Sequence, residues 1–362
     1  MRELGQLFIT GISGKSLTDD EKKFIQEENI GGVILFANNY DNPAQLAELV
    51  NSIQELRDHY PLFIAVDHEG GRVIRFKQHF TQFPSMLDIA KTDSPKQSFA
   101  AHQVMGKELK SCGVNINLSP VCDIFSNPNN KVIGDRSFGQ DKEKVSLFVS
   151  SAIRGLQTEN IMACAKHFPG HGCTTKDSHF DLPIVKKTME ELRAEEFIPF
   201  VKAVKSRVEF VMMAHMQVDS IDEELPCTLS KNAYDLLRSE LKFKKVIITD
   251  DMEMKAITDN YSYGEAAIMA LNAGADVLEY RSMDTCKEAY FAAKEAYKTK
   301  SITKDSVSEK LERVYELKKQ YLSEYKPLYI PDVAKTIGTE AHEKVLKDLT
   351  QAINIKSENS NT

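Results

Sequence analysis

The chain of 362 residues contains no tryptophan. Long clefts for extended polysaccharides lean on large aromatic faces, so a carbohydrate ligand, if there is one, would sit in a small pocket with Tyr and Phe as the only stacking surfaces. Cysteine is sparse. The six (Cys112, Cys122, Cys164, Cys173, Cys227, Cys286) are scattered with no C-x-x-C pair, which argues against a disulfide scaffold and for reduced thiols in a cytoplasmic protein. Long apolar runs are missing, so no transmembrane helix is expected. The opening MRELGQLFITGISGKSLTDDEKK has no apolar core behind basic residues, so no signal peptide is expected either. Positive charge is in deficit: 46 Lys and Arg against 53 Asp and Glu leave a net charge of −7, without the concentrated basic footprint of a nucleic-acid binder. There is no low-complexity linker. A hydrophobic content of 42% and a charged content of 27% describe a globular protein. The length suits two domains or a single α/β barrel.

Short β-rich runs alternate with longer amphipathic stretches. The strand-like runs are Gln6–Ile12, Gly32–Phe36, Leu62–Val66, Val114–Leu118, Met162–Lys166, Glu209–Ala214, Val246–Asp250 and Asp276–Glu279. Helical patterns lie between them at Asp19–Glu28, Pro43–His59, Lys96–Ser111, Asp141–Thr158, Met189–Ser206, Ser230–Leu241 and Tyr263–Ala273, followed by Asp284–Lys298 and Thr303–Tyr321. Thr18 and Ser230 stand where N-caps belong. Repeated β–α order predicts parallel strands with crossover helices, and a count of eight predicts an α/β (β/α)8 TIM-type barrel over residues 1–325. A doubly wound open sheet is the alternative. Residues 326–362 read as a tail with one helix, about His342–Ile355, and an unstructured end, SENSNT.

Polar, reactive residues follow five of the strands, in AVDHEGG, NLSPVCD, AKHFPGH, MMAHMQ and IITDDME. A barrel gathers such loops on one face, so these segments are expected to converge. Asp250 and Asp251 end a β-branched strand, and alternation of side chains along it turns only one of them toward a pocket; capping of the next helix is the plain alternative. Asp67 with Arg72 and Arg75 beyond Gly70 and Gly71 suits a grip on several hydroxyls, or a structural ion pair. Position 72 is Arg, so His68-Glu69 does not begin an H-E-x-x-H zinc motif. Asp135 and Arg136 in VIGDRSFG are open to both readings as well. In KHFPGHGCTTKDSH, His167, His171 and His179 are candidate metal ligands, with Asp177 or Asp181 beside them, but Pro169 and Gly170 break the helix that an H-x3-H pair would need; proton transfer is the other reading, and the spacing alone does not decide it. Asp177 and His179, two apart, form a candidate acid/base pair.

Taken together, LGQLFITGISG, IGGVILF, VDHEGGRV, GVNINLSPVCDI, VIGDRSFG, AKHFPGHG, DSHFDLP and IITDDMEM resemble glycoside hydrolase family 3, and within it the single-domain bacterial β-N-acetylglucosaminidases of peptidoglycan recycling. The resemblance runs in order from about Leu4 to Ala275. It implies retaining hydrolysis of terminal GlcNAc from muropeptides, with Asp250 as nucleophile and His179 paired with Asp177 as acid/base. It implies that Asp67, Arg75, Arg136, Lys166 and His167 hold the terminal sugar. No metal or cofactor, nucleic acid or membrane is implied, and a monomer is expected. A neutral His repels an incoming anion less than a carboxylate does, so phosphate is an expected alternative acceptor to water. A family 3 β-glucosidase, a glycosyl phosphorylase or a non-catalytic sugar-binding barrel are the alternatives. The chain departs from the family at His68 (mostly Gln), Cys173 (often Asp) and Asn38 (often Arg).

Overall fold

Each of the eight strand-like runs contains a strand, and the eight strands close on themselves. In the computed structural model, which describes residues 2–174 and 182–359, the barrel strands are β1 Phe8–Thr10, β2 Gly32–Leu35, β3 Phe63–Val66, β4 Ile116–Asn117, β5 Met162–Phe168, β6 Phe210–Met213, β7 Val246–Asp251 and β8 Val277–Tyr280. Each is parallel to its neighbours in sequence, and β1 joins β8 to β2, with Phe8 opposite Leu278 and Ile9 opposite Gly32. That closure rules out the open doubly wound sheet. The lower interior is filled by side chains: the Phe63 and Phe210 rings meet edge to face at 5.6 Å, and the buried Lys318 ammonium lies 4.6 Å from the Phe63 centroid.

The crossover helices follow the apolar periodicity, with local chemistry setting their ends. Thr18 and Glu21 form a reciprocal capping box on helix Asp19–Glu27. The stretch expected to be helical from Pro43 to His59 stops at Gln54. Gln54 turns inward to bond both the N–H and the carbonyl of Leu62, at 2.8 and 3.0 Å, and so begins β3. The expected helix Met189–Ser206 is two, Met189–Ala194 and Phe197–Lys205, because the Glu196 side chain between them is buried against Lys187. Ser230 does stand at a helix N-cap, but its hydroxyl donates to Asp222 at 2.6 Å and caps nothing. The last helix, Glu340–Asn359, is longer than expected and takes in the first three residues of SENSNT. Among the described residues, no helix is long and apolar enough to cross a membrane.

The C-terminal helix is tied to the barrel through one buried carboxylate. Glu108 accepts from the Thr81 N–H and hydroxyl at 2.9 and 2.7 Å, from the Gly338 N–H at 2.9 Å, and from His342 Nδ1 at 2.8 Å. Truncation would leave four donors without an acceptor. Glu108→Ala is therefore expected to cost about 3 kcal/mol in urea unfolding. Lys335→Ala, which breaks an exposed pair with Asp332, should change stability by under about 0.5 kcal/mol. Equal effects would show that the tail is not fastened this way.

Candidate active site

The carboxyl ends of the strands surround a cavity of about 340 Å³. Asp67 follows β3, Lys166 and His167 lie near the end of β5, Asp250 lies near the end of β7, Arg75 reaches in from a loop, and Arg136 from the short 3-10 helix Gly134–Arg136. These are six of the eight residues to which the family resemblance assigns roles, and all six line this one cavity. The other two, Asp177 and His179, lie outside the described residues.

Lys166 is the centre of the charge arrangement. Its ammonium, almost fully buried, sits 2.7 Å from Asp67 Oδ1 and 2.6 Å from Glu69 Oε1. Arg136 clasps both Glu69 oxygens, each at 2.8 Å, in a bidentate fork, and Arg75 donates to Asp67 Oδ2 at 3.1 Å. Burial favours the neutral form of every member, yet the mutual charges prevail. Despite that burial, Lys166 and Arg75 hold Asp67 below the ordinary Asp range, and Arg136 and Lys166 hold Glu69 well below the Glu range. Lys166 in turn is pushed up, Asp67 and Glu69 outweighing burial. The result is a wall of fixed donors and acceptors, the surface that several hydroxyl groups require.

His167 is held from behind. Its Nδ1 lies 2.7 Å from Asp123 Oδ2 and its Nε2 lies 3.4 Å from the Arg136 guanidinium. Asp123 also accepts the His171 N–H at 2.7 Å. The GHG turn can approach so closely because Gly172 has no side chain: a Cβ there would lie 1.8 Å from the Ile124 carbonyl oxygen. His171 lines the cavity, with Nδ1 2.9 Å from the Thr174 hydroxyl. Among the described residues, no group of three or more His, Cys, Asp or Glu side chains is arranged to hold a metal ion.

The adjacent acids Asp250 and Asp251 have opposite characters. Burial pushes Asp250 up, but His167, His215, the Asp251 N–H and Lys166 outweigh it and bring its pKa down to about 2. Asp251 is raised to about 6, chiefly by burial, although the Arg281 guanidinium pairs with it and opposes the shift. Neither acid caps a helix; the N-cap of the next one is Met254. Both border a second compartment of about 450 Å³, which shares Asp67, Arg75, Asp250 and Glu279 with the first.

Sequence reasoning passed over Glu69, Asp123 and Glu279. Glu69 was in view only as part of a failed zinc motif. Asp123 stood in the strand-end segment NLSPVCD, which was the signal that could have found it. Glu279 was read as the end of a core strand. Asp135, by contrast, forms an exposed pair with Arg72 at 2.9 Å and does not reach the cavity. Of the three departures from the family, His68 is buried against Phe76 and Phe80 and kept neutral, its pKa lowered to about 3 by burial and by Arg75. Asn38 donates to the Ser13 carbonyl at 3.1 Å on the rim. Cys173 is half-buried near Glu196 and Lys187, its thiol pushed up to about 12 by burial and by Glu196.

A sequence profile of the glycosyl hydrolase family 3 N-terminal domain matches residues 2–317. The β-hexosaminidase of Nitrosomonas eutropha is 36% identical over 281 residues, spanning 76% of this chain and 80% of that protein. β-Hexosaminidase A of Pseudoalteromonas piscicida is 32% identical over 365 residues, spanning 93% of this chain and 61% of its own length. Among solved structures, a family 3 β-N-acetylglucosaminidase from Paenibacillus sp. str. FPU-7 superposes with a TM-score of 0.90 at 34% identity, over 97% of this chain and 68% of that one. A fungal multi-domain β-N-acetylglucosaminidase gives a TM-score of 0.91 at 35% identity over 96% of this chain, which spans only 42% of that protein.

The buried charge network makes a pH-dependent prediction. Asp67 and Glu69 have lowered pKa values in the folded protein, so their contribution to stability is complete above the unfolded carboxylate range near ~4. It is lost as pH falls through the folded values. Lys166→Met leaves both acids buried beside fewer cations and should cost about 3 kcal/mol at pH 7.5. The gap from wild type should shrink at pH 4, where the orphaned acids can take up protons. Urea unfolding at the two pH values measures it, and a gap independent of pH would show that the network is not ionised as described.

Proposed function

The chain belongs to glycosyl hydrolase family 3 and is a glycoside hydrolase, and from that premise we propose that it is a retaining, exo-acting β-N-acetylglucosaminidase. Its substrates in this reading are muropeptide fragments with a non-reducing terminal GlcNAc, such as GlcNAc-anhydroMurNAc peptides, met in the cytoplasm during cell-wall recycling. The observation that carries the reading is Asp250. It is a half-buried carboxylate held anionic, its pKa down to about 2, on the wall of a polar cavity of about 340 Å³, a volume suited to one small ligand. The β-hexosaminidase and β-N-acetylglucosaminidase relatives support the choice of sugar. The sparse, scattered cysteines support the compartment.

Asp250 attacks the anomeric carbon, and a glycosyl ester forms as the bond to the leaving oxygen breaks. His179, oriented by Asp177, gives that oxygen its proton. Water then attacks the anomeric carbon, His179 takes a proton from it, and the ester bond breaks to free Asp250. Asp67, Arg75, Arg136, Lys166 and His167 hold the hydroxyls and the N-acetyl group, and the fixed charges around Asp250 need no rearrangement as the oxocarbenium-like state develops. The roles of His179 and Asp177 rest on the DSH motif of the sequence.

Two outcomes are expected. Wild-type protein cleaves p-nitrophenyl GlcNAc faster than p-nitrophenyl glucoside, and Asp250→Ala lowers kcat by about 10⁴-fold or more. Faster cleavage of the glucoside would make it a β-glucosidase, retained activity in the variant would remove Asp250 as nucleophile, and GlcNAc 1-phosphate as the main product in phosphate buffer would make it a phosphorylase. His179→Ala should slow substrates with sugar leaving groups far more than dinitrophenyl ones, because a good leaving group needs little proton donation. Equal slowing of both would argue against His179 as the acid.

A further inference from the structure

Five of the acids around this cavity have an answering group. Asp67 has Lys166 and Arg75, Glu69 has Lys166 and Arg136, Asp123 has His167, Asp251 has Arg281, and Asp250 accepts an N–H. Glu279, on β8, is the exception. It is 3% exposed, and its Oε2 is buried with no hydrogen-bond partner among the described residues. The side chain lines both compartments that meet at Asp250. An inward position on a barrel strand is ordinarily Val, Ile or Leu, and a buried polar atom left unpaired costs about 1–3 kcal/mol. Folding alone gives no reason for a carboxyl here, whereas a ligand seated in the cavity would supply the missing partner.

Resting on the reading of this cavity as the seat of a terminal sugar, we propose that Glu279 is a specificity-determining residue, whose carboxyl hydrogen-bonds one hydroxyl of the sugar held against Asp250. Burial and the neighbouring charges of Asp67, Asp251 and Asp250 drive Glu279 well above the ordinary Glu range, with Lys166 opposing them. Lys166 is already shared between Asp67 and Glu69. A protonated carboxyl has one O–H to give and a carbonyl oxygen to receive, which matches a hydroxyl group's own donor and acceptor. Asp67, ionised, can only accept. The two acids therefore pose different demands: Asp67 selects for a hydroxyl that donates to it, and Glu279 takes one that can do both.

The test is a substrate–variant cycle. kcat and KM are measured for p-nitrophenyl GlcNAc and its 3-, 4- and 6-deoxy analogues with wild type, Glu279→Gln and Glu279→Leu. One deoxy analogue should lower wild-type kcat/KM by about 10- to 100-fold, the range of a buried hydrogen bond left unmade. The same analogue should lower it by less than about threefold in Glu279→Leu, where the partner is already gone. Glu279→Gln, the same size and still both donor and acceptor, should keep the wild-type pattern. Glu279→Leu should also melt no lower than wild type, since an apolar side chain suits the position. If the Leu variant does not fold, Glu279→Asp, one methylene shorter, should lose the same discrimination. Undiminished deoxy penalties at all three positions in the Leu or Asp variant would overturn the proposal. Wild-type turnover of the parent compounds tests the sugar assignment separately; if only the glucoside is cleaved, the deoxy series is run on the glucoside and Glu279 is judged there.

Discussion

The site depends on one buried ammonium. Lys166 Nζ lies between the carboxylates of Asp67 and Glu69, which come from opposite ends of the short segment after β3, while Lys166 itself comes from β5. That contact joins two barrel strands separated by β4. It also aims Glu69 so that Arg136 can clasp it, and Arg136 in turn meets His167. Without the cation, Asp67 and Glu69 would be two like charges in a poorly solvated space, and neither they nor Arg136 would keep a fixed position. The polar wall of the cavity is therefore a single electrostatic unit rather than a set of independent ligands.

Asp250 draws on the same unit. An isolated carboxylate at its depth would be neutral, because burial penalises charge. His167, His215 and Lys166 reverse that penalty and leave an anion where a nucleophile is wanted. One residue further on, Asp251 meets a single guanidinium at the rim, and burial prevails. Two chemically identical neighbours thus differ because the strand turns one toward the cationic interior and the other toward Arg281.

Much of this was legible beforehand, and the reason is periodicity. Eight β-rich runs such as Gly32–Leu35 and Val246–Asp251 sit between amphipathic stretches, and a parallel strand buried on both faces leaves that mark directly in the chain. Six candidate residues could be named because their motifs resemble those of family 3, and the strand-end loops of a barrel face one way. Helix ends were harder, since Gln54, Glu196 and Ser230 act through partners distant in sequence or behind the helix itself. Glu69 and Asp123 were missed because their importance lies in what they touch, and neither Lys166 nor His167 is near them in the chain.

The sequence by itself determined the alternation of strands and helices, the barrel class, and which segments carry reactive groups, because hydrophobic period and the chemistry of Asp, His and Lys are local properties. Only the tertiary structure decided that six of those groups share one cavity, that Asp250 and not Asp251 is the strongly acidic partner, and that Glu279 Oε2 has no hydrogen-bond partner among the described residues. Those outcomes depend on distance and burial. Asp67 and Lys166 are 99 residues apart along the chain, and only the closure of the barrel brings them within a hydrogen bond.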